Sequence, residues 1–177
     1  QLQKSTDMFS KAVSTSPDFV LPFRRENIAP LKWAVKQSDN WHSKYLLGVL
    51  FWSLDNINEA KTLFNQCGNS PNKFYFYAAK PSLFGNDENY DSKADLLKAI
   101  VLKSDEWRIS KMLIDYYLDK EDSGQALEIA NRALIDFPSN YEVRYTVAKC
   151  LLENNQYIEC LDVLENSNIL PNEGASR

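Results

Sequence analysis

The residues of this chain best suited to chemistry are its single histidine, His42, and its three cysteines, Cys67, Cys150 and Cys160. A thiolate beside an imidazole would make a nucleophile with its base. Cysteines and histidine at short spacing would instead make a soft metal site. Neither spacing is met: Cys67 lies 25 residues from His42, and Cys150 and Cys160 lie ten apart, with no flanking motif. An odd cysteine count without close spacing also argues against a disulfide framework. These thiols read as small buried hydrophobes, with Cys150 and Cys160 on the two helices of one hairpin. The acidic pairs Asp105-Glu106 and Glu121-Asp122 have the type for general acid–base work, which requires burial or coupling. They stand at predicted helix ends, where carboxylates cap a helix or complement its dipole. No GxxxxGK or GxGxxG run offers a phosphate cradle. The expectation is therefore no catalytic residue, no cofactor and no metal, and no enzyme within this chain.

The elements behind these residues belong to a globular domain or array. The 177 residues are 44% hydrophobic and 25% charged, with five glycines and seven prolines, enough to bury a sizeable core and too few breakers for a low-complexity linker. A net charge of −4, with Arg24-Arg25 the longest basic run, argues against a nucleic-acid partner. No run of apolar residues is long enough to cross a membrane. The chain opens on Gln1, which marks a processed chain or an internal piece, and its unpaired thiols fit a reducing, cytoplasmic setting.

Three stretches superimpose on one another: "WHSKYLLGVLFWSLDNINEAKTLFNQC" from Trp41, "WRISKMLIDYYLDKEDSGQALEIANRALIDFP" from Trp107 and "YEVRYTVAKCLLENNQYIECLDVLENS" from Tyr141. Their starts are 66 and 34 residues apart. Counting from each starting aromatic, the seventh residue is Leu47, Leu113 and Val147, and the eighth is Gly48, Ile114 and Ala148. The eleventh is Phe51, Tyr117 and Leu151, the twentieth Ala60, Ala126 and Cys160, and the twenty-fourth Phe64, Ala130 and Leu164. Ala133 and Pro138 complete the second copy.

This pattern resembles the tetratricopeptide repeat, whose signature places Leu-Gly, an aromatic, Ala, Phe and Pro at these offsets over 34 residues. The resemblance implies an all-α, right-handed superhelical solenoid of antiparallel helix pairs, about ten helices in all. It also explains Gly48, which a helix interior disfavours by roughly 1 kcal/mol against Ala. Small residues belong where paired helices approach most closely, so Gly48 is expected to face Ala60. The division implied is an irregular partial repeat and linker over 1–40, then repeats over 41–74, 75–106 (shortened), 107–140 and 141–174, the last with a tail.

Within this frame, Ser70-Pro71 reads as a helix start, Pro81 as an early end or kink, and Asp91 as the cap of a helix beginning near Ser92. Ser139 with Glu142 reads as a capping box, with Asn56/Glu59 and Asp122/Gln125 as looser versions. Near the N-terminus, Phe9, Ala12 and Pro17 match the second half of a repeat. Pro22 and Pro30 predict an extended link before a helix over about 26–37. After 167, "NILPNEGASR" has no helical period to cover the final pair, so further helices are expected in the parent protein, with this stretch shielding its end by self-association or by folding the tail back.

In such arrays the first helix of each pair lines a concave wall. Its second, fifth, ninth and twelfth positions are His42, Tyr45, Val49 and Trp52; Arg108, Lys111, Asp115 and Leu118; and Glu142, Tyr145, Lys149 and Leu152. Phe76 is expected to join them. The groove residues so nominated are Tyr45, Trp52, Phe76, Arg108, Lys111, Asp115, Tyr145 and Lys149, a mixture of aromatic anchors and charges suited to an extended peptide. The competing assignment for the aromatics is packing against neighbouring repeats. Chaperone-tail-binding members of the family carry Lys at the fifth position and Asn at the ninth. Here those places hold Tyr45 and Val49, or Lys111 and Asp115, a departure that argues against that specificity. The function implied is a protein–protein interaction scaffold that receives a peptide or a neighbouring domain.

A weaker similarity, carried by "LPFRRENIAPLKWA", "YLLGVLFW", "DEWR" and "ILPNEGAS", is to large bacterial proteins of unknown function with a β-rich N-terminal domain. It implies an alternative role, as the accessory helical domain of a carbohydrate-active enzyme whose catalytic domain lies outside this chain.

Overall fold

Side-chain caps and left-handed turn residues cut this sequence into helices. The computed structural model describes residues 7–12, 15–18 and 20–165. Among them there is no strand. Residues 7–12 are helical, a 3-10 turn spans Arg25–Asn27, and nine α-helices follow: α1 (Ile28–Gln37), α2 (Trp41–Ser53), α3 (Ile57–Gln66), α4 (Phe74–Phe84), α5 (Lys93–Leu102), α6 (Trp107–Asp119), α7 (Ser123–Asp136), α8 (Tyr141–Glu153) and α9 (Tyr157–Glu165). The chain forms two compact units, one ending at Tyr90 and the other beginning at Asp91.

Several helix starts are fixed by side-chain oxygens that accept otherwise orphaned N–H groups. Asn40 accepts from His42 at 2.6 Å and caps α2, and Asp91 accepts from Lys93 at 3.1 Å at the start of α5, as its position in the sequence predicted. Glu106 accepts from Arg108, and Asp122 accepts from Gln125 at 3.1 Å to cap α7. Three sequence expectations are corrected. The cap of α8 is Asn140, which accepts from Val143 at 3.1 Å, because Asn140 is the last extended residue and Ser139 stands one place too early. Asn56 sits at the N-cap of α3 without a side-chain bond. The start of α4 is Phe74 rather than Ser70-Pro71. Pro71 is buried and its carbonyl accepts from the Tyr77 hydroxyl at 2.8 Å, and the chain stays extended through Lys73.

Helix ends recur as faithfully. The fifteenth residue of each pair, Asp55, Glu121 or Asn155, has φ of 63°, 59° or 60°. The following N–H reaches back to the eleventh carbonyl: Asn56 to Phe51 at 2.8 Å, Asp122 to Tyr117 at 2.9 Å, Gln156 to Leu151 at 2.9 Å. This left-handed closure turns the chain sharply enough for the next helix to run back along the first. Pro81 does not end α4, which continues to Phe84 with Gly85 N–H bonded to the Pro81 carbonyl at 2.9 Å. The burial of Leu83 and Phe84 holds this last turn in place.

In the first unit α2 packs on α3, and their core is aromatic. Phe64 stacks on Phe76 with centroids 5.2 Å apart and planes 12° from parallel, and Tyr45 tilts against Phe64 at 5.6 Å. A Cβ on Gly48 would meet Phe64 and Leu63 first, so the small eighth residue makes room for the twenty-fourth side chain rather than for Ala60. The N-terminal strip joins the same unit. Phe9 sets its ring edge-on to Trp33 at 5.1 Å, and Lys73 pairs with Asp18 at 2.7 Å. The helix predicted near 26–37 is the 3-10 turn followed by α1.

The second unit is aliphatic. Leu96, Leu113, Ile114, Tyr117, Ala126, Ala130, Val147 and Leu151 are among the residues of one core cluster. At the eighth and twentieth positions of its last pair the helices do touch: the Cys160 thiol donates to the Ala148 carbonyl at 3.3 Å. Asn154 donates to the carbonyls of Ser123 and Cys150, at 2.9 and 2.8 Å, and so ties the head of α7 to the tail of α8. Sequence expectations for the tail beyond 167 lie outside the described residues.

Candidate functional site

Burial first decides which candidate groups can meet a partner. Tyr45 and Phe76 are 5% and 1% exposed, inside the aromatic core of the first unit. Burial pushes the Tyr45 phenol up to about 12. Trp52 is half-buried and meets the Phe64 ring edge-on at 6.4 Å. The structure therefore spends the nominated aromatics of this unit largely on packing.

The cysteines are equally withdrawn. Cys67, Cys150 and Cys160 are all buried and free. Burial pushes the Cys67 thiol up to about 12 and Cys150 up to about 11. A thiol so raised holds its proton at neutral pH and is a poor nucleophile or metal ligand. Among the described residues no three His, Cys, Asp or Glu side chains gather as a metal would need. None of the described helices is long and apolar enough to cross a membrane.

The other nominated residues belong to the second unit. On α6, Arg108 pairs with Glu106 at 2.8 Å, and Lys111 pairs with Asp115 at 2.8 Å. The lysine at the fifth position is thus already matched by the carboxylate at the ninth, where a carboxylate-binding clamp would need an amide. On α8, Tyr145 is 60% exposed, Leu152 is 53% exposed, and Lys149 stands exposed between them. Fifth, ninth and twelfth positions share a helix face. Beside it opens a polar cavity of about 490 Å³, lined by Leu118 and Asp119 of α6, Glu121 of the turn, Ser123 at the start of α7, and Lys149 and Glu153 of α8. Glu121 reaches this lining because its left-handed backbone closes α6. The arrangement offers an apolar shelf with charged groups of both signs.

A cavity in the first unit escaped the sequence reading. It measures about 570 Å³, is walled almost wholly by carbon, and is lined by Met8, Phe9, Pro17, Leu31, Trp33 and Leu46 among others. The register break at Pro22 and Pro30 was its one visible sign. That break separates residues 7–12 from α1 without revealing that both lie over α2.

No protein-family model and no curated protein matches the chain. Solved structures do. MamA (residues 41 to the end) from Desulfovibrio magneticus RS-1 aligns at 17% identity over 79% of this chain and 81% of its own, with a TM-score of 0.65. A double mutant of MamA RS-1 aligns over 90% of both chains with a TM-score of 0.68 at 15% identity. YrrB, described as a TPR protein with an unusual peptide-binding site, aligns over 93% of this chain and 78% of its own, at 13% identity and a TM-score of 0.65. The fold is therefore all-α and of the tetratricopeptide type, as the repeat arithmetic predicted.

Proposed function

We propose that this chain is a protein–protein interaction module, a segment of a larger bacterial protein, and that its second unit receives an extended peptide on the face formed by α6 and α8. The observation that carries the reading is the exposure of Tyr145 and Leu152, at 60% and 53%, beside the 490 Å³ cavity. A largely exposed tyrosine is the kind of residue that dominates binding energy at an interface. Lys149 and the carboxylates of Glu153 and Asp119 then set register by charge. The pairing of Arg108 with Glu106 and of Lys111 with Asp115 leaves α8 as the more open wall. The tetratricopeptide fold supports the reading, as does the peptide-binding site named for YrrB. The buried free thiols fit a reducing, cytoplasmic setting.

Selection of a random peptide library displayed on phage tests this directly. The chain should enrich a family of sequences, and Tyr145→Ala with Lys149→Glu should abolish the enrichment while the helical circular-dichroism signal stays unchanged. Failure to enrich any family, or enrichment insensitive to both substitutions, would overturn the assignment.

A further inference from the structure

The cavity at the end of the α6–α8 face is unbalanced in charge. Its lining sets three carboxylates, Asp119, Glu121 and Glu153, against one ammonium, Lys149. Among the described residues none of these four is held in an ion pair. The other charges of the face are matched, Lys111 by Asp115 and Arg108 by Glu106. Backbone adds to the imbalance. Asp119 is the last residue of α6 and Glu153 the last of α8, so both helices bring their partially negative ends to this place. Lys120 follows in sequence, but its ammonium lies over the Tyr116 ring, 5.9 Å from the centroid.

A field of this sign repels a peptide carboxylate and attracts a cation. A bare metal ion is not that cation, because among the described residues no three carboxylates gather closely enough to hold one. Carboxylates spread around about 490 Å³, a volume usual for sites that enclose an organic group, suit a long basic side chain instead. Its head carries several donors, and its methylene stem can lie along Leu118.

We propose that the peptide received on the α6–α8 face is basic, and that it seats a lysine or arginine side chain between Glu121 and Glu153. The inference rests on the peptide-binding reading above and adds to it the class of sequence recognised. Spacing follows from the helix. Tyr145, Lys149 and Glu153 succeed one another at four-residue steps along α8, each a rise of about 6 Å. An extended chain covers the two steps in about four residues. The motif recognised therefore carries an apolar residue against Tyr145 and, about three to five residues away, the basic one. Lys149, midway, donates to a peptide carbonyl where the chain crosses from shelf to cavity.

Selection of random peptides displayed on phage tests this, run in parallel on the parent protein and two variants. The family enriched on the parent should carry lysine or arginine at one fixed distance from an apolar residue. Glu121→Gln with Glu153→Gln should enrich the apolar residue without the basic one. Glu121→Lys with Glu153→Lys should put aspartate or glutamate in its place. Both side chains are exposed, so the circular-dichroism spectrum should not change. In calorimetric titration, an enriched peptide should lose at least about tenfold in affinity when its basic residue becomes methionine. The glutamine variant should show a similar loss with the original peptide and none with the methionine one. A family that depends on Tyr145 but has no basic residue, or that keeps it on the lysine variant, overturns this inference and leaves the peptide-binding reading standing. No enriched family on the parent protein overturns both.

Discussion

The Phe64 ring lies directly over the bare Cα of Gly48: a Cβ placed there would sit 2.9 Å from its Cδ2 and 3.1 Å from its Cε2. The ring has nowhere to retreat. Phe64 is 1% exposed, stacked on Phe76 and flanked by Tyr45 and Trp52. Helix propensity alone would make alanine better than glycine by about 1 kcal/mol. Overpacking acts in the opposite direction, by about 1–3 kcal/mol. Gly48→Ala should therefore be neutral to destabilising, and Gly48→Leu clearly destabilising, in urea denaturation followed by circular dichroism. Phe64→Leu should recover part of the Gly48→Ala loss in a double-mutant cycle. A raised melting temperature in Gly48→Leu would show that the contact is not tight.

Gly48 also shows how far the sequence could be read. Its smallness and its repeat position were legible, because a 34-residue period exposes every place where size is restricted. Its partner was not. In the last pair the eighth and twentieth residues do meet, through Cys160 and the Ala148 carbonyl. In the first pair the phenylalanine at the twenty-fourth position, where the other copies have Ala130 and Leu164, fills the space instead. Pattern fixes where helices approach, whereas side-chain volume fixes what touches. The groove residues divide for the same reason. Tyr45 and Phe76 occupy groove-like positions beside bulky Phe64 and are drawn into the core, whereas Tyr145 has no such neighbour and stays in water.

Glu121 occupies a left-handed turn, φ 59°, where Asp55 and Asn155 stand in the other pairs. Asn and Asp tolerate this region through local hydrogen bonds, whereas a longer side chain bears a penalty of about 1–2 kcal/mol. Glu121→Asn should raise stability by up to about 1 kcal/mol, and Asn155→Val should lower it by a similar amount. Urea midpoints of the two variants check both signs. A stability loss in Glu121→Asn would show that the Glu121 carboxylate makes a contact worth more than the strain.

The three thiols should be silent in the folded protein. Cys67 donates to the Leu63 carbonyl at 3.3 Å and Cys160 to that of Ala148 at 3.3 Å, and burial holds Cys67 and Cys150 far above the usual thiol range. Reaction with iodoacetamide at neutral pH should then be slow, limited by local opening, and complete for all three in denaturant. Mass spectrometry after a timed pulse reads this residue by residue. Rapid alkylation of native Cys67 or Cys150 would contradict the packing described for their helices.

Asp18 supplies a pH dependence. Its carboxyl is lowered from 3.8 to about 2, first by the hydrogen bond from Lys73, then by Ser16, against an opposing contribution from burial. A carboxyl depressed in the folded state stabilises it fully above the unfolded value, and that stabilisation is lost as the pH falls from roughly 5 towards 2. Asp18 and Lys73 are each about a third exposed, at 36% and 31%, so solvent screening limits the contribution to below about 1 kcal/mol. Because the pair ties the N-terminal strip to the start of α4, its loss should loosen the strip before it unfolds the helices. Asp18→Asn should therefore lower stability slightly at neutral pH, and the gap to the parent protein should close near pH 2. Hydrogen exchange at the amides around 15–18 and 73–76 should rise in the variant at neutral pH and match the parent protein in acid. If the gap persists undiminished in acid, packing rather than charge holds the strip, and the ion pair is incidental.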